Sequence, residues 1–163
     1  MRIKKKIIKK CLTKRLANAP RDKALKRQAL PPLLVPYCFF VEDTGVKIPK
    51  HYRETQHLLP FVRQRLSMHP AIGCVFRGNA GVIRIKDDSG VVRAFHGLEK
   101  GFSDIFGFLK NGRAFFLELK SPGKMPTDPQ IRFLAHVQHR GALIGLIDHD
   151  SLLDRLLTAW LIQ

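Results

Sequence analysis

The chain is short of acid. Its 163 residues hold 13 Asp and Glu against 29 Lys and Arg, for a formal net charge of +16 and a pI of about 10.4. Such a balance calls for a polyanionic partner, and nucleic acid is the commonest. A ribosomal-type or merely soluble basic protein would look the same, so charge alone does not choose. Cysteine is also scarce. Cys11, Cys38 and Cys74 are odd in number, widely spaced and without a CxxC pair. That argues against a disulfide framework and a thiolate zinc site, and it predicts reduced thiols in a cytoplasmic protein. No apolar run approaches the ~18 residues of a membrane span, so no membrane is expected as a partner. The basic start lacks the following apolar stretch of a signal peptide. There is no internal repeat, and low complexity is confined to the lysine-rich start.

What is present suffices for one domain with a core and some extra chain: 45% of the residues are hydrophobic, an ordinary share. The charge is unevenly spread. Residues 1–27 carry twelve bases and one acid, Asp22, a charge of +11, and the remaining 17 bases and 12 acids leave +5. Ile3, Ile7, Ile8, Cys11, Leu12 and Leu16 fall at helical spacing among lysines, which predicts a basic amphipathic helix over residues 1–18. A nucleic-acid-binding arm, a solvated tail and a membrane-surface helix compete for this segment. The last is weakest, because the apolar face has no aromatic residue. Pro20, Pro31, Pro32, Pro36 and Pro49 mark residues 19–50 as a linker or extended arm, with room for a short helix over 22–30. Within it, Tyr37–Val41 is too apolar to be solvated; it packs on the domain or forms a partner surface. The chain thus divides into a basic, proline-rich extension, residues 1–50, and a compact domain, residues 51–163.

In the domain, residues 51–68 predict a helix that Pro60 kinks or restarts. Strands are expected over 72–77, 81–86, 91–95, 102–109 and 113–120. Asp128 as cap and Pro129 in the first turn open a helix to about Arg140, which Gly141 closes. Residues 142–147 are wholly apolar, as in a strand covered on both faces. Asp150 or Ser151 caps a last helix. The order α-β-β-β-β-β-α-β-α, with a helix between two strands, predicts an α/β fold with a mixed sheet and a βαβ unit.

Three charges interrupt the most apolar hairpin: Asp104, Glu118 and Lys120. Buried charges are costly unless they pair or bind a metal. Alternation puts Glu118 and Lys120 on one face. A two-residue Asn111-Gly112 turn would leave Asp104 opposite Leu119. A three-residue Lys110-Asn111-Gly112 loop places Gly112 where a left-handed residue is needed, and it sets Asp104 opposite Glu118. The second register is the one expected. The grouped carboxylates would hold Mg²⁺ or Mn²⁺, with the Leu119 carbonyl as a third oxygen ligand. A divalent cation eases phosphodiester hydrolysis by activating water and neutralising phosphate oxygens. Lys120 would orient water and stabilise negative charge. The bland alternative is a surface ion pair between Glu118 and Lys120, since an isolated ExK is common by chance.

Gly101-Phe102-Ser103-Asp104, Phe116-Leu117-Glu118-Leu119-Lys120-Ser121-Pro122-Gly123, Gln130 and Gly141-Ala142 together resemble the PD-(D/E)XK nuclease superfamily, and within it the VRR-NUC family with its G-x-x-D, E-x-K and Q pattern. The resemblance takes in Glu54-Thr55-Gln56 and Arg77–Gly81 and covers roughly residues 52–157. It implies a restriction-endonuclease-like core and a metal-dependent nuclease with Asp104, Glu118, Lys120 and Gln130 as its catalytic set. Glu54 would add a carboxylate. Stand-alone members resemble junction resolvases that act as dimers on branched DNA. Ser103 departs from the proline common in the superfamily. Arg77, Asn79, Lys100, Ser103 and Lys124 are candidate nucleic-acid contacts. His136 and His139, i and i+3 on one helix, lack further ligands and read as surface residues. Two rivals stand beside the junction nuclease: a non-catalytic basic nucleic-acid-binding protein, and a same-fold nuclease acting on flap or linear duplex DNA.

Overall fold

The computed structural model describes residues 30–79, 82–86 and 88–162. The helix expected over 1–18, and all but the last residue of the one expected over 22–30, lie outside these. The compact unit begins at Pro31 rather than at the 50/51 boundary. The reason is the apolar segment noted above. Leu34, Phe40 and Val41 are buried, and β1 (Cys38–Phe39) pairs in parallel with the last strand.

The architecture is mixed α/β. After β1 come α1 (Leu59–Met68), β2 (Ile72–Arg77), β3 (Val82–Lys86), β4 (Val92–His96), β5 (Ile105–Leu109), β6 (Ala114–Leu119), α2 (Asp128–His139), β7 (Leu143–Ile147) and α3 (Leu153–Leu161). Five strands form one sheet in the order β1-β7-β6-β5-β2, while β3 and β4 pair separately as a hairpin. The neighbours β6 and β7 run parallel and are joined through α2; β5 runs antiparallel to both β6 and β2. Helices α1 and α3 share one hydrophobic cluster with Phe115, Leu117 and Leu119 of β6. Leu134 of α2 packs on the other face with Ile144 and Phe116. All five residues of β7 are buried, as a wholly apolar strand between two layers requires. Among the described residues no helix is long and apolar enough to cross a membrane.

The β5–β6 hairpin adopts the three-residue loop. Ile105 faces Leu117 and Phe108 faces Ala114. The Leu109 N–H donates to the Arg113 carbonyl, and Gly112 sits at φ +84°. Glycine takes that conformation without steric cost.

Three helix starts differ from expectation. Pro60 has no N–H, and its ring crowds the preceding turn. The chain before α1 therefore forms a wide π turn, Glu54–Leu58, in which the Leu58 N–H reaches the Arg53 carbonyl. Thr127, not Asp128, caps α2. Its N–H donates to the side-chain oxygen of Gln130, three residues on. Neither Asp150 nor Ser151 caps the last helix: a 3-10 turn, Asp150–Leu152, leads into it, and His149 caps that turn by accepting from the Ser151 N–H.

Candidate active site

Sequence alternation and hairpin register bring Glu118 and Lys120 to the α2 side of the sheet, at the end of β6. Glu118 is fully buried. Its Oε1 accepts hydrogen bonds from both Lys120 Nζ and Gln130 Nε2. Gln130 can reach because its own Oε1 is fixed at the cap of α2, accepting from the Thr127 N–H at 2.9 Å and hydroxyl at 3.0 Å. One side chain thus ties the start of α2 to the buried acid. Asp104 lies across the hairpin, where its Oδ2 accepts from the Leu119 N–H at 2.9 Å.

Glu118 Oε2 is buried and has no hydrogen-bond donor. Burial raises the Glu118 pKa to about 8; the Asp104 carboxylate adds to the rise and the Lys120 ammonium opposes it. A proton on Glu118 would bridge it to Asp104. Two carboxylates so arranged invite either a proton or a hard cation between them. Burial also raises the pKa of Glu54, with Asp104 raising it further while Lys120 and the Ser121 backbone amide hold it down. Glu54, Thr55, Leu59, Arg77, Gly78, Asp104 and Leu119 line one small pocket beside the pair.

The structure therefore gathers Asp104, Glu118, Lys120 and Gln130, with Glu54, Leu119 and Arg77 at the adjoining pocket. It does not bring every candidate there. Asn79, Lys100 and Lys124 are exposed outside the pocket, and the Asn79 carbonyl accepts from the Leu98 N–H at the open end of the β3–β4 hairpin. Ser103, the remaining candidate contact, is 1% exposed with its hydroxyl enclosed, so its side chain offers no surface to a nucleic acid. His136 is exposed and its Nδ1 meets Arg140 at 3.1 Å. Among the described residues no three His, Cys, Asp or Glu side chains come together as a metal-holding group. A cation at Glu118 would depend on the carboxylate pair, backbone oxygen and water, a usual magnesium shell.

Asp148 escapes the sequence reading. It is fully buried at the end of β7. Its carboxylate accepts from the Val41 N–H at 2.7 Å and the Gly123 N–H at 3.4 Å, which staples the β1 segment and the loop after Lys120 to the sheet. The available signal is a carboxylate directly after a strand buried on both faces. Asp148→Ala leaves the buried Val41 N–H and the part-buried Gly123 N–H without this acceptor and should lower stability by about 2–4 kcal/mol, read as a reduced urea midpoint at unchanged slope. An unchanged midpoint would show that the staple carries no stability.

No protein family, curated protein or solved structure matches the chain, and the functional reading rests on the geometry of this cluster.

Proposed function

We propose that this domain is a metal-dependent endonuclease that hydrolyses phosphodiester bonds in DNA, acting on branched or junction substrates with Mg²⁺ or Mn²⁺. The assignment to a PD-(D/E)XK core of VRR-NUC type, and to action as a homodimer, follows the motif resemblance. The observation that carries the reading is the buried Glu118 carboxylate facing Asp104, one oxygen held by Lys120 and Gln130 and the other without a donor. A buried acceptor without a partner is destabilising, so this oxygen calls for a bridge to Asp104, by a cation or by a proton.

Asp104, Glu118 and the Leu119 carbonyl would hold the cation, with Glu54 near enough to share its field. Their hard oxygens suit it. The cation would lower the pKa of water and neutralise charge on phosphate. Lys120, whose Nζ donates to Glu118 Oε1, would direct its ammonium to developing negative charge. Gln130 fixes the Glu118 rotamer. Arg77, on the pocket wall, offers a guanidinium to a phosphate oxygen. Hydrolysis joins a water oxygen to phosphorus and breaks one P–O ester bond, leaving a phosphate and a hydroxyl.

The test is cleavage of four-way junction, flap and linear duplex DNA by wild type and Asp104→Ala, with Mg²⁺, Mn²⁺ or EDTA. Wild type should cut the junction with either metal, and EDTA or the substitution should abolish cutting while binding persists. Preferred cutting of flap or duplex would replace the substrate assignment. Binding without cutting on every substrate would leave only a basic nucleic-acid-binding protein.

A further inference from the structure

The face of the sheet that carries Glu118 is only partly covered. Helix α2 packs on β7 and β6, while the sheet continues past it to β5 and the edge strand β2. Three phenylalanines meet across that face. Phe76 of β2 stands opposite Phe106 of β5, and Phe106 stands opposite Phe116 of β6. Their ring centroids are 5.4 and 6.3 Å apart, with planes inclined by 32° and 13°. Phe102 fastens this row to α2: it lies edge-on to Phe106 at 5.1 Å and 4.7 Å from Phe133. The α2 side of the row is therefore held, and the other side is open. Phe76 is 46% exposed, and Phe108, two residues beyond Phe106 on the same face, is 45% exposed. Contiguous aromatic surface of this kind marks a binding face.

Position, charge and area choose the occupant. The aromatic row is continuous with the acid pair, because Asp104, Phe106 and Phe108 alternate onto one face at about 7 Å per step. Cations flank it in the chain. Arg77 follows Phe76, Lys110 lies two residues past Phe108, and Lys100 lies two before Phe102; all three are exposed, and Glu99 is the exposed acid beside them. A second copy of the chain would need more apolar surface than this. The open rings offer about 200–300 Å², whereas each partner in a stable interface gives about 800 Å², more than half of it apolar. Unpaired bases need only ring faces, and every base has one of its own to stack. We infer that Phe76, Phe106 and Phe108 form a stacking platform for single-stranded DNA, which seats the unpaired bases next to the phosphate at the Asp104–Glu118 pair. This rests on the nucleic-acid part of the reading above and not on cleavage. It narrows a branched substrate to one with unpaired nucleotides at the branch.

The experiment compares full-length wild type with Phe76→Leu/Phe108→Leu, Phe76→Trp/Phe108→Trp and a control, Phe61→Leu, whose ring is 39% exposed on α1, across the sheet. Leucine keeps apolar bulk and removes the ring, and thermal unfolding checks that each variant is folded. Binding of a fluorescein-labelled 24-nucleotide dT strand, of an abasic strand of the same length and of a duplex is measured in EDTA over a salt series. The leucine variant should bind dT about tenfold more weakly at an unchanged slope of log K against log salt, since ring faces and not phosphate contacts are lost. The tryptophan variant should bind dT at least as tightly as wild type. The abasic strand and the duplex should not distinguish the variants, and the control should match wild type throughout. No loss on dT, or an equal loss on the abasic strand, overturns the platform. So does a wild type that binds dT no better than the abasic strand. A wild-type dimer that the leucine pair dissociates, with dT binding unaltered, makes a second copy the occupant and overturns the strand. If wild type binds with these effects yet never cuts with metal, the nuclease reading fails and the platform stands; if it cuts while binding ignores the rings, the platform alone fails.

Discussion

Glu118→Gln should abolish metal-dependent cleavage, by at least about a thousandfold, and in EDTA at pH 9 should yield a protein more stable than wild type. The two effects have one origin. Glutamine keeps an oxygen to accept from Lys120 and Gln130, and it places an amide donor where Oε2 now lacks one, facing Asp104. The fold gains a partner for Asp104 and loses a buried negative charge. The proposed site loses a cation ligand, and about 4 kcal/mol of transition-state stabilisation corresponds to that thousandfold.

The sign of the pH dependence follows from where the proton sits. Burial and Asp104 raise Glu118 from 4.5 to about 8 in the folded protein. Between those values the folded state holds a proton that the unfolded state has released. Stability contributed by this group is therefore fully present below pH 4.5, and it falls as pH rises to about 8, by at most ~1.4 kcal/mol per pH unit. The Gln variant lacks this slope. Melting curves of the two proteins in EDTA should nearly coincide at pH 5 and separate by several degrees at pH 9, with the variant melting higher. A separation that is the same at both pH values would show that the Glu118 carboxyl does not titrate in this window. Retained cleavage by Glu118→Gln would remove Glu118 from the proposed chemistry.

The core of this arrangement was legible because the signals were local. Gly112 in third place of the loop selects the hairpin register, and the register with strand alternation puts Asp104, Glu118 and Lys120 together. The apolar run at β7 announced a strand covered on both faces in the same way. The start of α2 was legible in principle. Thr127 and Gln130 have the spacing of a capping box, and that spacing outranks the intrinsic merit of Asp128 as a cap before Pro129. Other features had no local mark. Asp148 joins Val41 across 107 positions of sequence, and no short pattern announces such a bond. The burial of Ser103 depends on how closely Gly78 approaches it, a fact of tertiary packing. Five prolines mark residues 19–50 as a linker or arm, while the apolar Tyr37–Val41 within them needs a surface, which the pairing of β1 with β7 supplies. Imidazole is an uncommon cap, and His149 stands beside two residues with better capping propensity, so nothing local marks its role.

Gly78→Ala should cost about as much stability as Asp148→Ala and, unlike it, should fall directly on the proposed site and disable cleavage. A Cβ built at residue 78 falls 1.8 Å from the Ser103 carbonyl oxygen and 3.0 Å from its carbonyl carbon. Backbone is not the far end of a flexible side chain, so it cannot swing away. One segment must move by more than an ångström. The Gly78 N–H donates to the Asp104 carbonyl at 2.8 Å, so the movement breaks the bond that holds the end of β2 against the residue carrying the carboxylate. Gly78 also lines the pocket with Glu54, Arg77 and Asp104, and the displacement therefore falls on the proposed site itself. Overpacking typically costs 1–3 kcal/mol, and the lost bond adds about 1 kcal/mol, for a total of roughly 2–4 kcal/mol. Gly112→Ala is the contrast: Gly112 has φ +84° but open space around its Cβ position, so strain alone should cost about 1 kcal/mol and leave cleavage intact. Urea unfolding and cleavage assays on both variants decide the matter. If Gly78→Ala were as stable and active as Gly112→Ala, the close approach of β2 to Asp104 would not be what sets the carboxylate pair.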